Sequence, residues 1–187
     1  MNELELISRA RQGDEAAWES LLRLHQEAAF RLAYLFLGDP DQAEDVVQDA
    51  FLRAFRALSR FDLDRPFRPW LLSITANQAR NQLRSAGRYL TALRRFWQDK
   101  PDHAIHPEME AVQDWEAETL WQAVRRLGFA DQQVIYCRYF LDLPVEETAA
   151  ALNIAEGTVK SRTHRAVTRL RQVIEQDYPI LMKGIQA

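Results

Sequence analysis

The sequence predicts an all-α fold, arranged as two small helical domains joined by a linker. Glycine and proline are scarce, at 6 and 7 in 187 residues. Apolar residues recur with helical periodicity along nearly the whole chain, and no alternating strand pattern competes. The pattern weakens after Gly87 and fails across Asp99-Lys100-Pro101-Asp102-His103-Ala104-Ile105-His106-Pro107-Glu108, which has two prolines and little hydrophobic content. The first helix is expected over Glu3 to Gln12. Asp14 caps a second that runs to Leu37, where Gly38-Asp39-Pro40 ends it and opens a third reaching Ser59. After an irregular piece from Arg60 to Pro66, a fourth runs from near Phe67 to Ser85. Beyond the break, Leu120, Trp121, Val124 and Leu127 mark a helix stopped by Gly128, and Asp131 to Leu141 makes another. A short alanine-rich helix, Val145 to Leu152, is followed by a tight turn and a long helix from near Ala155 towards Glu175. These elements assign residues 1–87 to one domain, 88–112 to the linker, 113–178 to a second domain and 179–187 to a tail.

The composition narrows the function classes. With 47% hydrophobic residues the chain can bury a core, yet it has no run of eighteen apolar residues, so no membrane insertion is expected. The start, Met1-Asn2-Glu3-Leu4-Glu5-Leu6, is acidic where a secretion signal would be basic, and a cytoplasmic location is expected. The single cysteine, Cys137, cannot make an intramolecular disulfide or a cysteine-rich zinc site, and reads as a small buried residue. His103, His106, Glu108 and Glu110 could in principle gather around a metal, but a proline-broken segment supplies no groups to orient them, so no metal site and no cofactor are expected.

The net charge of -3 hides segregation. Residues 39–49 hold five carboxylates and no Lys or Arg, 65–100 hold eight Lys or Arg against one Asp, and 101–120 hold six carboxylates and no base. A local patch, and not the total, steers a polyanion. On a helical wheel, Val159, Thr163, Ala166, Leu170 and Val173 form the inward stripe of the long helix. The opposite arc carries Lys160, Ser161, His164, Arg165 and Thr168, side chains able to reach base edges in a major groove. Arg162 and Arg169 flank that arc at angles suited to the phosphate backbone. Gly157 and Thr158 open the helix, where backbone N–H groups can meet a phosphate. Short helix, turn and long basic helix together read as a DNA-binding helix-turn-helix; the simpler alternative is an amphipathic helix with a solvated basic face.

In the third helix, Ala43, Val46, Val47, Ala50, Phe51, Ala54 and Leu58 make a broad inward stripe. Asp41, Glu44, Asp45, Gln48, Asp49 and Leu52 lie opposite, with Phe55 at the edge. Taken alone, a solvated acidic face is the simpler reading, although its apolar members also suit a basic partner helix. In the basic block, Phe61, Phe67 and Trp70 alternate with Arg65, Arg68, Arg80 and Arg84, a composition suited to unstacked bases and a single-stranded backbone. Trp70, Ile74, Asn77 and Asn81 share one side of their helix, which reads Trp70 and Ile74 as core and Arg80 and Arg84 as the better DNA candidates.

Three segments carry a family resemblance. Asp41-Gln42-Ala43-Glu44-Asp45-Val46-Val47-Gln48-Asp49-Ala50-Phe51, and Phe67-Arg68-Pro69-Trp70-Leu71-Leu72-Ser73-Ile74-Thr75-Ala76-Asn77 with Asn81 and Arg84, resemble region 2 of the extracytoplasmic-function (group IV) sigma factors. Gly157-Thr158-Val159-Lys160-Ser161-Arg162, with Arg165-Ala166, resembles region 4. The resemblance implies a non-enzymatic subunit of bacterial RNA polymerase that directs promoter-specific initiation. Asp41, Glu44, Asp45, Gln48, Asp49 and Leu52 would meet the clamp helices of the largest subunit, and region 4 the flap of the second-largest. The loop Phe61, Asp62, Leu63, Asp64, Arg65 and Pro66 would shape a pocket for a flipped base of the −10 element, with Arg68, Asn77, Arg80 and Arg84 on the melted strand. The helix-turn-helix would read duplex DNA at −35, and an anti-sigma factor is an implied partner. The sequence departs from the family pattern at Gly128, Gln132-Gln133, Thr148, Ala155-Glu156 and Asn81. A stand-alone helix-turn-helix regulator is the alternative, and it leaves the acidic helix and the aromatic-basic block unexplained.

Overall fold

The structure, a computed structural model, describes residues 2–94 and 114–179. These fall into two compact units, each with its own core. The first contains α1 (Glu3–Arg11), α2 (Glu15–Leu37), α3 (Pro40–Ala57), a 3-10 turn over Leu58–Arg60, and α4 (Phe67–Arg94). The second contains α5 (Asp114–Arg125), α6 (Phe129–Ile135), a π-helical turn over Tyr136–Phe140, α7 (Val145–Leu152) and α8 (Glu156–Asp177). No strand occurs among the described residues, and none of their helices is long and apolar enough to cross a membrane.

In the first unit, local chemistry sets the helix ends. Asp14 and Asp39 accept from the backbone N–H groups of Ala17 and Gln42, three residues on, at 3.1 and 2.9 Å. Each satisfies one of the amides that a helix start leaves unpaired. Those bonds favour the ionised form and hold both carboxyls below the usual range. Gly38 ends α2 in the left-handed region, φ 72°, donating to Tyr34 O at 2.7 Å, a conformation glycine adopts without a Cβ penalty. Pro40 then supplies the first-turn proline of α3. The core is built from Leu21, Ala29 and Leu32 of α2, Ala43, Ala50 and Ala54 of α3, and Phe67, Leu71, Leu72 and Ala76 of α4, all essentially inaccessible. α1 closes one side through Leu6, Ile7 and Ala10.

Two expectations change here. α4 continues to Arg94, past the boundary placed at residue 87 and into the segment assigned to the linker. One interior glycine costs only about 1 kcal/mol, less than the helix-forming Ala, Leu and Arg residues around it recover. The remainder of the linker, including His103, His106, Glu108 and Glu110, lies outside the described residues, as does the tail beyond residue 179. In the second unit, the helix expected over Asp131 to Leu141 is interrupted by the π turn, which closes with Leu141 N donating to Tyr136 O. The wider turn sets Tyr136 and Phe140 on the same side, with ring centroids 5.5 and 5.7 Å from Trp121 of α5. Burial pushes the Tyr136 phenol up to about 12, so it stays neutral inside this cluster.

The caps give the first unit a defined acid response. A carboxyl whose folded pKa is depressed contributes stability that is complete above its unfolded pKa, about 3.9, and is lost as pH falls through the folded value. Thermal melts should therefore show part of the acid destabilisation disappearing in Asp39→Asn, which keeps an acceptor but no titration. Asp39→Ala should cost about 1 kcal/mol at neutral pH.

Candidate polymerase and nucleic-acid interfaces

The α3 stripe packs inward except at Val47, which is half-buried, and the opposite face is open. Asp41, Glu44, Asp45, Gln48, Asp49 and Leu52 lie on it, with Leu52 and Phe55 55% and 48% accessible, large values for apolar side chains on an acidic surface. Beside them, between α2 and α3, runs an apolar groove of about 610 Å³ lined by Trp18, Leu22, Val47, Phe51, Leu52 and Phe55, with Glu15 at one end. Past Gln26, Val47 and Gln48 it continues towards Phe30, Glu27 and Glu44. Trp18 leans on Phe55, with ring centroids 5.2 Å apart. The sequence reading did not include the α2 wall. Its signal is a second line, Trp18, Leu22, Gln26 and Phe30, running at four-residue spacing beside the buried line of Ala17, Leu21, His25 and Ala29.

The loop between α3 and α4 is shaped by its own side chains. Asp62 Oδ1 accepts from Asp64 N at 3.1 Å, Asp62 O accepts from Arg65 N at 3.1 Å, and the Asp62 carboxylate lies 3.4 Å from the Arg65 guanidinium. The first of these is a side-chain turn that mimics a backbone turn. Asp62, Leu63, Asp64, Arg65 and Pro66 are exposed, whereas Phe61 is buried. Phe61 thus belongs beneath the loop: its ring lies 4.6 Å from Trp70 and 5.6 Å from Phe67. Trp70, read from the sequence as core, is half-buried, and Asn77 and Arg84 are more open on the same helix. The buried side of α4 is instead Phe67, Leu71, Leu72, Thr75, Ala76 and Ala79. Thr75 is accommodated there because its hydroxyl donates to Leu71 O at 3.1 Å. Arg68 and Arg80 are half-buried, and Arg80 Nε donates to Ala76 O.

In the second unit, α7 ends on Asn153, φ 55°, with Ile154 N donating back to Ala149 O at 3.0 Å. Asparagine tolerates this left-handed position better than most residues. α8 follows after two residues and buries Val159, Ala166 and Ile174, with Leu170 and Val173 partly covered. Lys160, Ser161, His164, Arg165 and Thr168 lie together on the far side, and Arg162 is half-buried. Three of these rest on their own helix: Ser161 Oγ donates to Thr158 O, Arg165 Nε to Ser161 O, and Thr168 Oγ1 to His164 O. The Thr158 amide already donates to Ala155 O at 2.9 Å, so it is spent within the helix. A Cβ added to Gly157 would meet no atom within 4 Å, so the packing of this chain does not require glycine there.

Residues 21–89 match the Sigma-70 region 2 family and residues 123–172 match Sigma-70, region 4. The ECF RNA polymerase sigma factor SigW of Bacillus subtilis is 31% identical over 175 residues, spanning 89% of this chain and 93% of that protein. The chain belongs to the extracytoplasmic-function sigma factors. The RNA polymerase sigma-H factor of Pseudomonas aeruginosa is 32% identical over 87% of this chain and 88% of its own. Among solved structures, CnrH in complex with the cytosolic domain of CnrY aligns with a TM-score of 0.69 at 26% identity, covering 94% of this chain and 98% of that one. The sigma factor RpoE of Bartonella quintana, solved with the anti-sigma factor NepR, gives 0.69 at 27%, covering 85% and 97%. The protein is thus an alternative sigma factor that directs transcription initiation, and the stand-alone regulator, which has no use for a region 2, is not favoured.

Within the region 4 unit of this sigma factor, two polar arrangements set the helix-turn-helix. Leu143 O accepts from Thr148 Oγ1 at 3.3 Å and from the Arg138 guanidinium, fixing the approach to α7. The hydroxyl of Thr148, a departure from the family pattern, therefore has a bonded role. Arg169, expected from the wheel at the phosphate backbone, pairs in the free chain with Asp131 of α6; the Asp131 side chain is 9% accessible and that of Arg169 56%. The wheel shows that Arg169 lies beside the polar arc of α8 and cannot show an acid 38 residues away.

The pairing has a measurable consequence in the free protein. Arg169→Ala strands a nearly buried carboxylate and should destabilise the region 4 unit by about 2 kcal/mol, whereas an arginine that served only to meet phosphate could be removed with melting unchanged. Asp131→Asn in the Arg169→Ala background should restore part of that stability.

Proposed function

We propose that this sigma factor docks on core RNA polymerase through the exposed face of α3 and the α2–α3 groove. Its region 4 helix-turn-helix reads duplex DNA at −35, and its region 2 loop with the outer side of α4 reads the melted −10 strand. The observation that carries the proposal is the placement of Leu52 and Phe55, open to solvent at the lip of an apolar groove and surrounded by Asp41, Glu44, Asp45 and Asp49. A monomeric chain gains nothing from exposing that surface, and its chemistry fits a partner helix with an apolar line flanked by Arg and Lys. In this reading the clamp helices of the largest subunit supply that helix, and the flap of the second-largest subunit holds region 4.

On the nucleic-acid side, Leu63, Asp64, Arg65 and Pro66 form the exposed tip of a preformed turn, and Trp70 offers a half-exposed ring on an aromatic base made by Phe61 and Phe67. Such a platform supports unstacked bases, while Arg68, Arg80 and Arg84 neutralise the backbone beside Asn77. At −35, Lys160, Ser161, His164, Arg165 and Thr168 face base edges, while Arg162 and the start of α8 at Gly157 face phosphates. The chain performs no chemistry itself and needs no cofactor. It acts in the cytoplasm, and it is restrained there by an anti-sigma factor, in keeping with the complex formed by the Bartonella quintana relative.

Two measurements test the proposal. In a pull-down with core polymerase, Asp45→Arg and Leu52→Arg should each weaken binding by about a hundredfold, a hot-spot effect of roughly 2–3 kcal/mol; retained binding and unchanged promoter-directed transcription would refute polymerase docking here. In −35 binding assays, alanine at Lys160, Ser161, His164 or Arg165 should shift or weaken sequence preference, by about 1–3 kcal/mol for each side chain that reads a base edge. Arg162→Ala should instead weaken binding evenly across sequences and lower its salt slope by about one. Identical behaviour of all five would show that the facing arc of α8 is assigned wrongly.

A further inference from the structure

We propose that Arg11, at the end of α1, is a positioning residue for −10 recognition, acting by fixing the base of the α3–α4 loop to the body of region 2. The proposal rests on the reading of that loop as the −10 reader. Arg11 Nε donates to Leu58 O at 2.8 Å, and its terminal nitrogen donates to Phe61 O. Those two carbonyls bracket the 3-10 turn that ends α3, and Phe61 N also donates to Leu58 O at 3.1 Å. One planar guanidinium thus holds both edges of the turn from an element 47 and 50 residues away in sequence. A cation at the C-terminal end of a helix also meets the negative pole of its dipole.

α1 is itself held firmly enough to serve as an anchor. Leu6, Ile7 and Ala10 are buried against the bundle. At its start, Glu3 Oε1 lies 2.6 Å from Nε2 of the buried His25, whose ring is 5.2 Å from Phe67. At its end, Arg9 pairs with Asp14 at 2.6 Å across a corner that needs Gly13 at φ 89°. The two ends of α1 therefore reach the two sides of one cluster. Glu3 acts through His25 on Phe67, where α4 begins, and Arg11 acts on Phe61, where the loop begins.

The loop's internal bonds, all centred on Asp62, shape the turn without tying it to the bundle. What holds it in place is the Phe61 ring beneath Trp70, the start of α4, and Arg11. The exposed residues Asp62 to Pro66 follow directly from the Phe61 carbonyl that Arg11 grips. Without the grip, the tip keeps its local shape and gives up its fixed position relative to Trp70 and Asn77. Base discrimination depends on that position, because a reading surface misplaced by about an ångström loses selectivity before it loses attraction. Lysine carries the charge without the fork, so it can satisfy one carbonyl and not both.

The test compares wild type, Arg11→Ala and Arg11→Lys as full chains with core polymerase, in run-off transcription on a promoter selected by the wild type and on copies with single-base changes in −10 or −35. Arg11→Ala should reduce the preference for the selected −10 element about fivefold to tenfold, with Arg11→Lys between it and wild type. The −35 preference and core binding should be unchanged. Hydrogen exchange on the free chain should show the Phe61 amide exchanging faster in Arg11→Ala while α2 amides keep their protection. An unchanged −10 preference overturns the proposal; so does a joint fall of −10 and −35 preferences with loss of protection throughout region 2. Leu63→Ala and Asp64→Ala separate this from failure of the underlying reading. If they lower −10 preference and Arg11→Ala does not, the brace is wrong; if they too leave it intact, the loop is not the reader.

Discussion

The packing of α3 between α2 and α4 is the constraint on which the region 2 surfaces depend. Ala43, Ala50 and Ala54 are fully buried, and only alanine-sized side chains at that spacing let three helices approach so closely. Val46, Phe51 and Leu58 complete the stripe. Turning α3 by one residue would drive Glu44 or Asp49 into this interior, where an unpaired carboxylate costs several kcal/mol. The helix therefore has one rotational setting. That setting points Asp41, Asp45, Gln48 and Asp49 outward, makes Val47, Leu52 and Phe55 one wall of the groove, and fixes the direction in which the chain leaves α3 for the loop.

Helix existence and most of the inward sides of α3 and α8 were legible because both helices alternate strongly between alanine or aliphatic residues and charges; Val47 and Thr163 are only half-buried, and Ile174 is buried outside the expected stripe. α4 was not legible in the same way. The wheel correctly grouped Trp70, Ile74, Asn77 and Asn81, but grouping does not say which side faces in. Trp70 looks like core by size, while the buried side holds Thr75, Ala76 and Ala79. The choice is made by the neighbours: against Leu21, Leu32 and the alanines of α2 and α3, α4 packs Phe67, Leu71 and Leu72 together with these smaller residues, and the indole stays at the margin. Phe61 was misplaced for the converse reason, since an aromatic in a basic, polar stretch looks exposed until its ring packing with Phe67 and Trp70 is known.

Polar ties between distant elements were the least legible features. Asp131 with Arg169, and Arg11 with Leu58 and Phe61, depend on the three-dimensional approach of segments whose local patterns say nothing of each other, while Arg138 reaches Leu143 O only five residues on, across the end of the π turn. Thr148 shows the same from the other direction. Judged by the family pattern it is a departure, yet its hydroxyl donates to Leu143 O, which Arg138 also binds, so its polarity belongs to a local arrangement.

In each of the three ties an arginine binds an acceptor at the border between a helix and a functional segment: the loop after α3, the approach to α7, and the flank of α8. The apolar cores set the helices, and helical cores tolerate small shifts among residues of similar volume at modest cost. A DNA-reading surface does not, because its donors and acceptors must meet base edges within hydrogen-bond tolerance. A guanidinium suits that border: always charged, planar and forked, it fixes direction as well as distance, and its weaker hydration lets it work where half the surface is apolar. The division of labour follows. Apolar burial makes the two units, and a few directed bonds at their edges fix the segments that, in the proposed reading, face DNA.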